Sequence, residues 1–199
     1  MGQPLGEAGL DTIFRSARSF NGYTDAPVTE GDIRRIYDLL KMGPTSANQQ
    51  SARFVWLTSQ DAKDKLASLA SGANAPKIQA APATVIIGMD LAFHEQLPWL
   101  FPHAPTAKDW FADPKVRYTQ AIRNSSLQGA YFIIAARALG FDAGPMSGFD
   151  NDAVDAAFFA DQPNVKSNFI STLGTGDPST IFDRLPRPAF EQFNTVIAL

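Results

Sequence analysis

Apolar residues crowd positions 119–139 on every side. Leu127, Ala130, Tyr131, Ile134, Ala138 and Leu139 recur at steps of three and four, and Phe132, Ile133, Ala135 and Ala136 fill the gaps. The spacing predicts a long helix that is apolar all round, which belongs in an interior or an interface. Gly140 is the residue type that most readily closes a helix in the left-handed conformation. Residues 141–150, with Gly144, Pro145 and Gly148, then read as a small-residue loop. A buried helix that ends in such a loop can bring backbone N–H groups close to a flat ligand. An ordinary core helix followed by an ordinary turn fits the same pattern.

The remaining periodicity divides into helices and buried strands. Leu10, Ile13, Phe14 and Ala17 have helical spacing, with Arg15 and Arg18 on the other side. Thr29 is a good N-cap for a second helix carrying Ile33, Ile36, Tyr37 and Leu40 on one face, and Gly43-Pro44 stops it. An uncharged polar loop covers 45–50. Residues 53–58 and 83–89 read as buried strands separated by a helix at 62–70. A helix at 151–159, with Val154, Ala157 and Phe158 inward, and a strand at 167–173 complete the pattern. Strands apolar on both faces and separated by helices predict a sheet covered on both sides. That pattern leaves parallel and antiparallel pairing open.

One segment breaks the rhythm. Between 91 and 113, Phe93, Trp99, Phe101, Trp110 and Phe111 alternate with Pro98, Pro102, Pro105 and both histidines. Its length and irregularity suit a lid or binding loop; aromatics packing down an insertion would look the same.

Composition narrows the chemistry. A chain of 199 residues suits a single domain, 1–199, with an adequate core. Zero cysteines exclude disulfides, thiolate nucleophiles and cysteine metal ligands. His94 and His103 alone do not make a usual zinc site, so no metal is expected. The net charge of -3 argues against nucleic acid as the main partner. No apolar run reaches the ~20 residues that span a bilayer, and no signal peptide is visible, so a cytoplasmic protein is expected. Ser147 lies in a glycine-rich turn, but Gly144-Pro145-Met146-Ser147-Gly148 lacks the spacing of a nucleophile elbow. Neither a phosphate loop nor a dinucleotide fingerprint is present. Cations at the two chain ends, Arg15, Arg18, Arg184 and Arg187, together with Lys77, remain. With polar loops and glycine-rich backbone they suit a phosphorylated planar cofactor.

Longer motifs then carry a resemblance. Pro44-Thr45-Ser46-Ala47-Asn48, Asn74 with Lys77, the run from Gly144 to Asp150, and Arg184-Leu185-Pro186 stand in the order of the FMN-dependent nitroreductase family. Trp99-Leu100-Phe101-Pro102-His103 and Ala121-Ile122-Arg123-Asn124-Ser125-Ser126 resemble one branch of it, the malonic semialdehyde reductases of the Rut pyrimidine-degradation pathway.

The resemblance implies an α+β nitroreductase-like sandwich, a mainly antiparallel sheet flanked by helices, in an intertwined homodimer. It implies FMN as cofactor, NADPH or NADH as reductant, and ping-pong hydride transfer through flavin N5 with no obligatory catalytic side chain. Arg15, Ser16, Arg18 and Arg184 are implied at the phosphate and ring edge, Asn74 and Lys77 at the pyrimidine side, and Ser147 and Gly148 near N5. Pro44, Thr45, Ser46 and Asn48 are implied to reach the flavin of the other subunit. The sequence departs from the family at Phe14, Phe182, Ser51 and Ala52, where two basic residues, a proline and a tryptophan are usual. The implied acceptor is malonic semialdehyde, with Arg123 as candidate ligand for its carboxylate. A broad nitro- or quinone-reductase and a flavin-binding protein without turnover are the alternatives.

Overall fold

The computed structural model describes residues 2–198. Helix α1 (Glu7–Leu10) widens at once into a π-helix over Asp11–Arg15, closed where the Ser16 N–H donates to Asp11 O at 2.9 Å. Helix α2 (Glu30–Leu40) starts from a capping box in which Thr29 and Asp32 each bond the other's backbone N–H. After a single turn at Ser46–Asn48 come β1 (Ala52–Leu57), α3 (Gln60–Ala67), α4 (Ala75–Ala80) and β2 (Ala83–Asp90). Short helical pieces follow at Phe93–Gln96, α5 (Leu97–Leu100) and Ala107–Phe111. Helix α6 (Pro114–Ala138) leads to β3 (Asp142–Met146), α7 (Asn151–Phe158) and β4 (Val165–Gly174). The tail is extended apart from a short 3-10 turn at Pro178–Thr180 and one helical turn, α8 (Phe190–Phe193).

The four strands form one sheet in the order β1-β2-β4-β3, antiparallel throughout. The open question of pairing is thereby settled. Every residue of β2 is buried, because both faces of the sheet are covered. On one face α2 and α6 bring Ile36, Leu40 and Phe132 against Val85, Ile87 and Leu173. On the other, α3, α4 and α7 bring Leu66, Ile78 and Val154 against Ile86 and Ile170. A third cluster, Phe93, Leu97, Phe111 and Ala121, lies under the aromatic segment.

Several expectations need correction. The stretch expected as a loop after Gly140 contains β3, an edge strand. Pro145 is tolerated there because an edge position can lose its N–H without breaking the sheet, and Gly144 is needed because a Cβ would meet Phe20 O at 2.8 Å. Phe14 and Tyr37, assigned to inward faces, are exposed; for Phe14 the π-helix changes the rotation per residue and so the face presented. The segment 91–113 consists of short helical turns rather than irregular chain, although Trp99 and Trp110 do remain exposed. Helix α4 was not foreseen.

The largest correction concerns α6. Its buried residues are Ala121, Asn124, Ser125, Gln128, Gly129, Phe132, Ala135 and Ala136. Leu127 and Tyr131, taken as leading the apolar face, are exposed in the single chain. The sheet therefore packs against the mixed polar stripe, and an apolar one faces outward.

Gly129 marks the closest approach of α6 to β4, since a Cβ there would overlap the Phe169 ring. An exposed helical glycine gains stability on substitution by alanine, but overlap in a packed interior costs about 1–3 kcal/mol. Gly129→Ala should accordingly lower the melting temperature by several degrees, measured by calorimetry. An unchanged or higher value would show that the contact relaxes freely.

Candidate functional site

The two chain ends meet around one cavity. Arg18 donates through Nη2 to Phe182 O. In return Arg184 Nη2 donates to Arg15 O at 2.7 Å and Ala17 O at 3.1 Å. The cavity, open to solvent, has a volume of about 230 Å³, and Arg18, Arg137, Arg184 and Arg187 line it with Phe182 and Asp183. Among the described residues none of these four arginines is in an ion pair. Arg15 differs: its guanidinium is paired with Glu7 at 2.6 Å and Asp11 at 2.8 Å. It contributes a carbonyl to the clamp, and Ser16 closes the π-helix; neither lines the cavity.

Arg137 was not foreseen. Burial pulls its pKa below the ordinary arginine value; Asp142 opposes that shift and Arg184 adds to it. Its Nη1 donates to Ile13 O at 3.1 Å, while its Nε is buried without a partner. The signal in the sequence was a single cation in the last turn of an apolar helix, which is also where a helix dipole favours one.

A second group forms beyond β3. The Gly148 carbonyl accepts from the Ser71 N–H at 2.9 Å and from Asn74 Nδ2 at 3.1 Å, so the run after β3 is fastened to the N-terminus of α4. A Cβ on Gly148 would lie 2.8 Å from Asn74 Nδ2 and 2.9 Å from Ser71 Oγ, so a larger residue there would have to displace the Asn74 amide or the Ser71 hydroxyl. Ser147 and Gly148 are exposed, and among the described residues their N–H groups have no backbone partner. Lys77 is one turn along α4 from Asn74 and joins no ion pair among the described residues. The structure thus brings together Arg18 with Arg184, and Asn74 with Gly148.

Pro44, Thr45, Ser46 and Asn48 belong to a separate construction. Ala47, Asn48 and Gln50 all have positive φ, at 49°, 48° and 42°, a conformation non-glycine residues rarely adopt. Side chains of α6 hold the loop in it. Asn124 Oδ1 accepts from the Ser46 N–H at 2.8 Å, Gln128 Nε2 donates to Gln50 Oε1 at 2.7 Å, and Gln128 Oε1 accepts from the Ala52 N–H at 2.8 Å. Asn48 Nδ2 donates to Leu100 O at 2.8 Å, tying the loop to the aromatic segment. None of the loop's side-chain bonds runs to the arginine cavity or to Gly148.

Arg123 is exposed on α6 and has no ion pair among the described residues. Asp113, its nearest candidate counter-ion by sequence, caps α6 by accepting from the Lys115 N–H at 2.8 Å. No cluster of three or more metal-ligating side chains is found among the described residues, and no helix is long and apolar enough to cross a membrane.

An antiparallel α+β sandwich whose chain ends close on an arginine-lined cavity is the class of protein this geometry defines. The Nitroreductase family model matches residues 14–174, and the chain belongs to that family. A protein of Caulobacter sp. (strain K31) is 54% identical over 97% of this chain and 98% of its own length. Another, from Stenotrophomonas maltophilia (strain R551-3), is 56% identical over 96% of this chain and 97% of its own. Both are provisionally named NADH dehydrogenase/NAD(P)H nitroreductase. Among solved structures, a provisionally named Bacillus subtilis nitroreductase superposes with a TM-score of 0.88 at 22% identity, covering 96% of this chain and all of the other. One from Exiguobacterium sibiricum 255-15, in complex with FMN, gives 0.84 at 18% identity over 98% of this chain and all of the other. At these identities the likeness establishes the fold.

Asn124 is 1% exposed, so removing its amide would strand the Ser46 N–H and free a strained loop. Asn124→Ala should cost about 1–3 kcal/mol in urea unfolding and should speed amide exchange at Ser46. Unchanged exchange there would mean that the loop holds itself.

Proposed function

We propose that this chain is an FMN-dependent NAD(P)H oxidoreductase, folded as one domain over residues 1–199 and working as a cytoplasmic homodimer. The observation that carries this reading is the cavity lined by four arginines without carboxylate partners among the described residues, in a chain of the Nitroreductase family. The residues present fit FMN. Arg18 and Arg184 offer guanidinium donors to its phosphate, with Arg15 and Ser16 building the turn that holds them. The N–H groups of Ser147 and Gly148, without backbone partners among the described residues, offer donors to a ring edge. Asn74 and Lys77 supply an amide and a positive charge beside them.

FMN, when bound, supplies hydride acceptance from NAD(P)H and hydride donation to a second substrate. The protein's own part is binding, orientation and exclusion of water. Pro44, Thr45, Ser46 and Asn48 are assigned to the cofactor of the second subunit, presented by the strained loop that α6 holds. The exposed Leu127 and Tyr131, together with the tail residues Phe190, Phe193, Val196 and Ile197, give the apolar surface for that dimer. The aromatic segment, tied to the loop through Asn48 and Leu100, is placed to cover the acceptor.

For the acceptor, the proposal is malonic semialdehyde, reduced to 3-hydroxypropionate. The aldehyde carbon gains the hydride and solvent supplies the proton to its oxygen, while NAD(P)H becomes NAD(P)+. Arg123, exposed and unpaired, is the residue proposed to meet the substrate carboxylate. A second reading, a broad nitro- or quinone-reductase, is favoured by the names of the relatives above.

The purified protein should be yellow, dimeric by light scattering, and loaded with about one FMN per subunit. NAD(P)H oxidation should accelerate with malonic semialdehyde more than with nitroaromatics or quinones. Comparable turnover across the panel would favour the second reading. A colourless preparation that takes up no FMN would refute both, and a flavin-loaded protein that oxidises no NAD(P)H with any acceptor would leave binding without turnover.

Arg123→Leu should raise KM for malonic semialdehyde roughly tenfold to a hundredfold, the scale of one lost charge-assisted bond, and leave an uncharged aldehyde nearly unaffected. Equal losses on charged and uncharged acceptors would instead give Arg123 a role in the fold or in flavin binding.

A further inference from the structure

We propose that Arg137, in the last turn of α6, is the half-buried anchor of the cofactor phosphate and selects FMN over phosphate-free flavin. The inference rests on the FMN reading above and goes beyond the residues assigned there. Three observations converge on it. Arg137 lines the same cavity as Arg18, Arg184 and Arg187. Its guanidinium is fixed through Nη1 on Ile13 O at 3.1 Å, which sets its position at the cavity wall. Among the described residues no carboxylate pairs with it: Asp142 is close enough to oppose the shift in its pKa but forms no ion pair, and Asp183 lines the cavity without pairing to any of the four.

Arg137 thus brings to the cavity wall a fixed charge without a counter-ion among the described residues, and a phosphate monoester is an anion small enough for about 230 Å³ among several cations. The aromatic residues Phe14 and Phe182 agree with this division of labour. Both are exposed, and Phe182 lines the cavity with no charge to offer. Arg137 adds a charge from α6, an element on which the other cavity arginines do not lie.

Dissociation constants for FMN and for riboflavin, measured by fluorescence quenching on flavin-stripped protein, test this directly. Arg137→Met should weaken FMN about tenfold to a hundredfold and leave riboflavin within a factor of two or so of wild type. Arg137→Lys keeps the charge but not the guanidinium fork, so it should fall between the two and serves if the methionine variant does not fold. In a separate arm, inorganic phosphate should raise the melting temperature of flavin-free wild type more than that of Arg137→Lys. Equal weakening of FMN and riboflavin would make Arg137 a structural tie to Ile13 and overturn the inference, as would unchanged binding of both. Wild type that binds neither flavin would overturn the FMN reading itself, and this inference with it.

Discussion

Buried amides on α6 are the constraint on which the functional architecture depends. A polar side chain out of reach of water must be hydrogen-bonded or it costs stability. Asn124 and Gln128 meet that requirement by bonding the chain between Ser46 and Ala52. The same bonds hold three non-glycine residues at positive φ. Strain of this kind persists only where the surroundings over-determine it, as they do at many ligand sites. The helix is therefore at once the cover of one sheet face, the clamp of a polar loop and, through Arg137, a wall of the arginine cavity.

Turning the polar stripe inward obliges α6 to turn an apolar one outward. Leu127 and Tyr131 are exposed along it, and Gly43 nestles under the Tyr131 ring where a Cβ would lie 2.6 Å from Cγ. Beside it the edge strand β1 presents Phe54 and Trp56 to open grooves shared with Tyr37 and, at one end, Trp99. A single chain with this much apolar surface is poorly suited to remain alone in water. The proposed dimer and the strained loop at 46–52 thus share one cause, the orientation of α6 about its own axis.

Much of the fold was legible in the sequence because periodicity reports burial. The β2 segment, apolar on both faces, could only be central, and Thr29 marked its helix with a capping box. Orientation of α6 was not legible, because an all-round apolar helix has no preferred face until its few amides find partners in a loop some eighty residues earlier. The π-helix at Asp11–Arg15 was also hidden, since one widened turn leaves no compositional mark. Of the cavity arginines, Arg18 and Arg184 could be named from motifs. Arg137 could not, because nothing local distinguishes a ligand from a helix-terminal cation.

The carbonyl clamp at the chain ends has one more consequence. Arg18 and Arg184 are held by the neutral oxygens of Phe182, Arg15 and Ala17, not by internal acids. An arriving anion need not expel a resident counter-ion, and these side chains surrender little rotational freedom when it arrives. The loss of rotamer freedom that loose arginines incur on capture, up to about 2 kcal/mol for each side chain, is here met during folding. Recognition then becomes largely a matter of added charge, and its strength should track the ionic strength of the medium more closely than the flexibility of the protein.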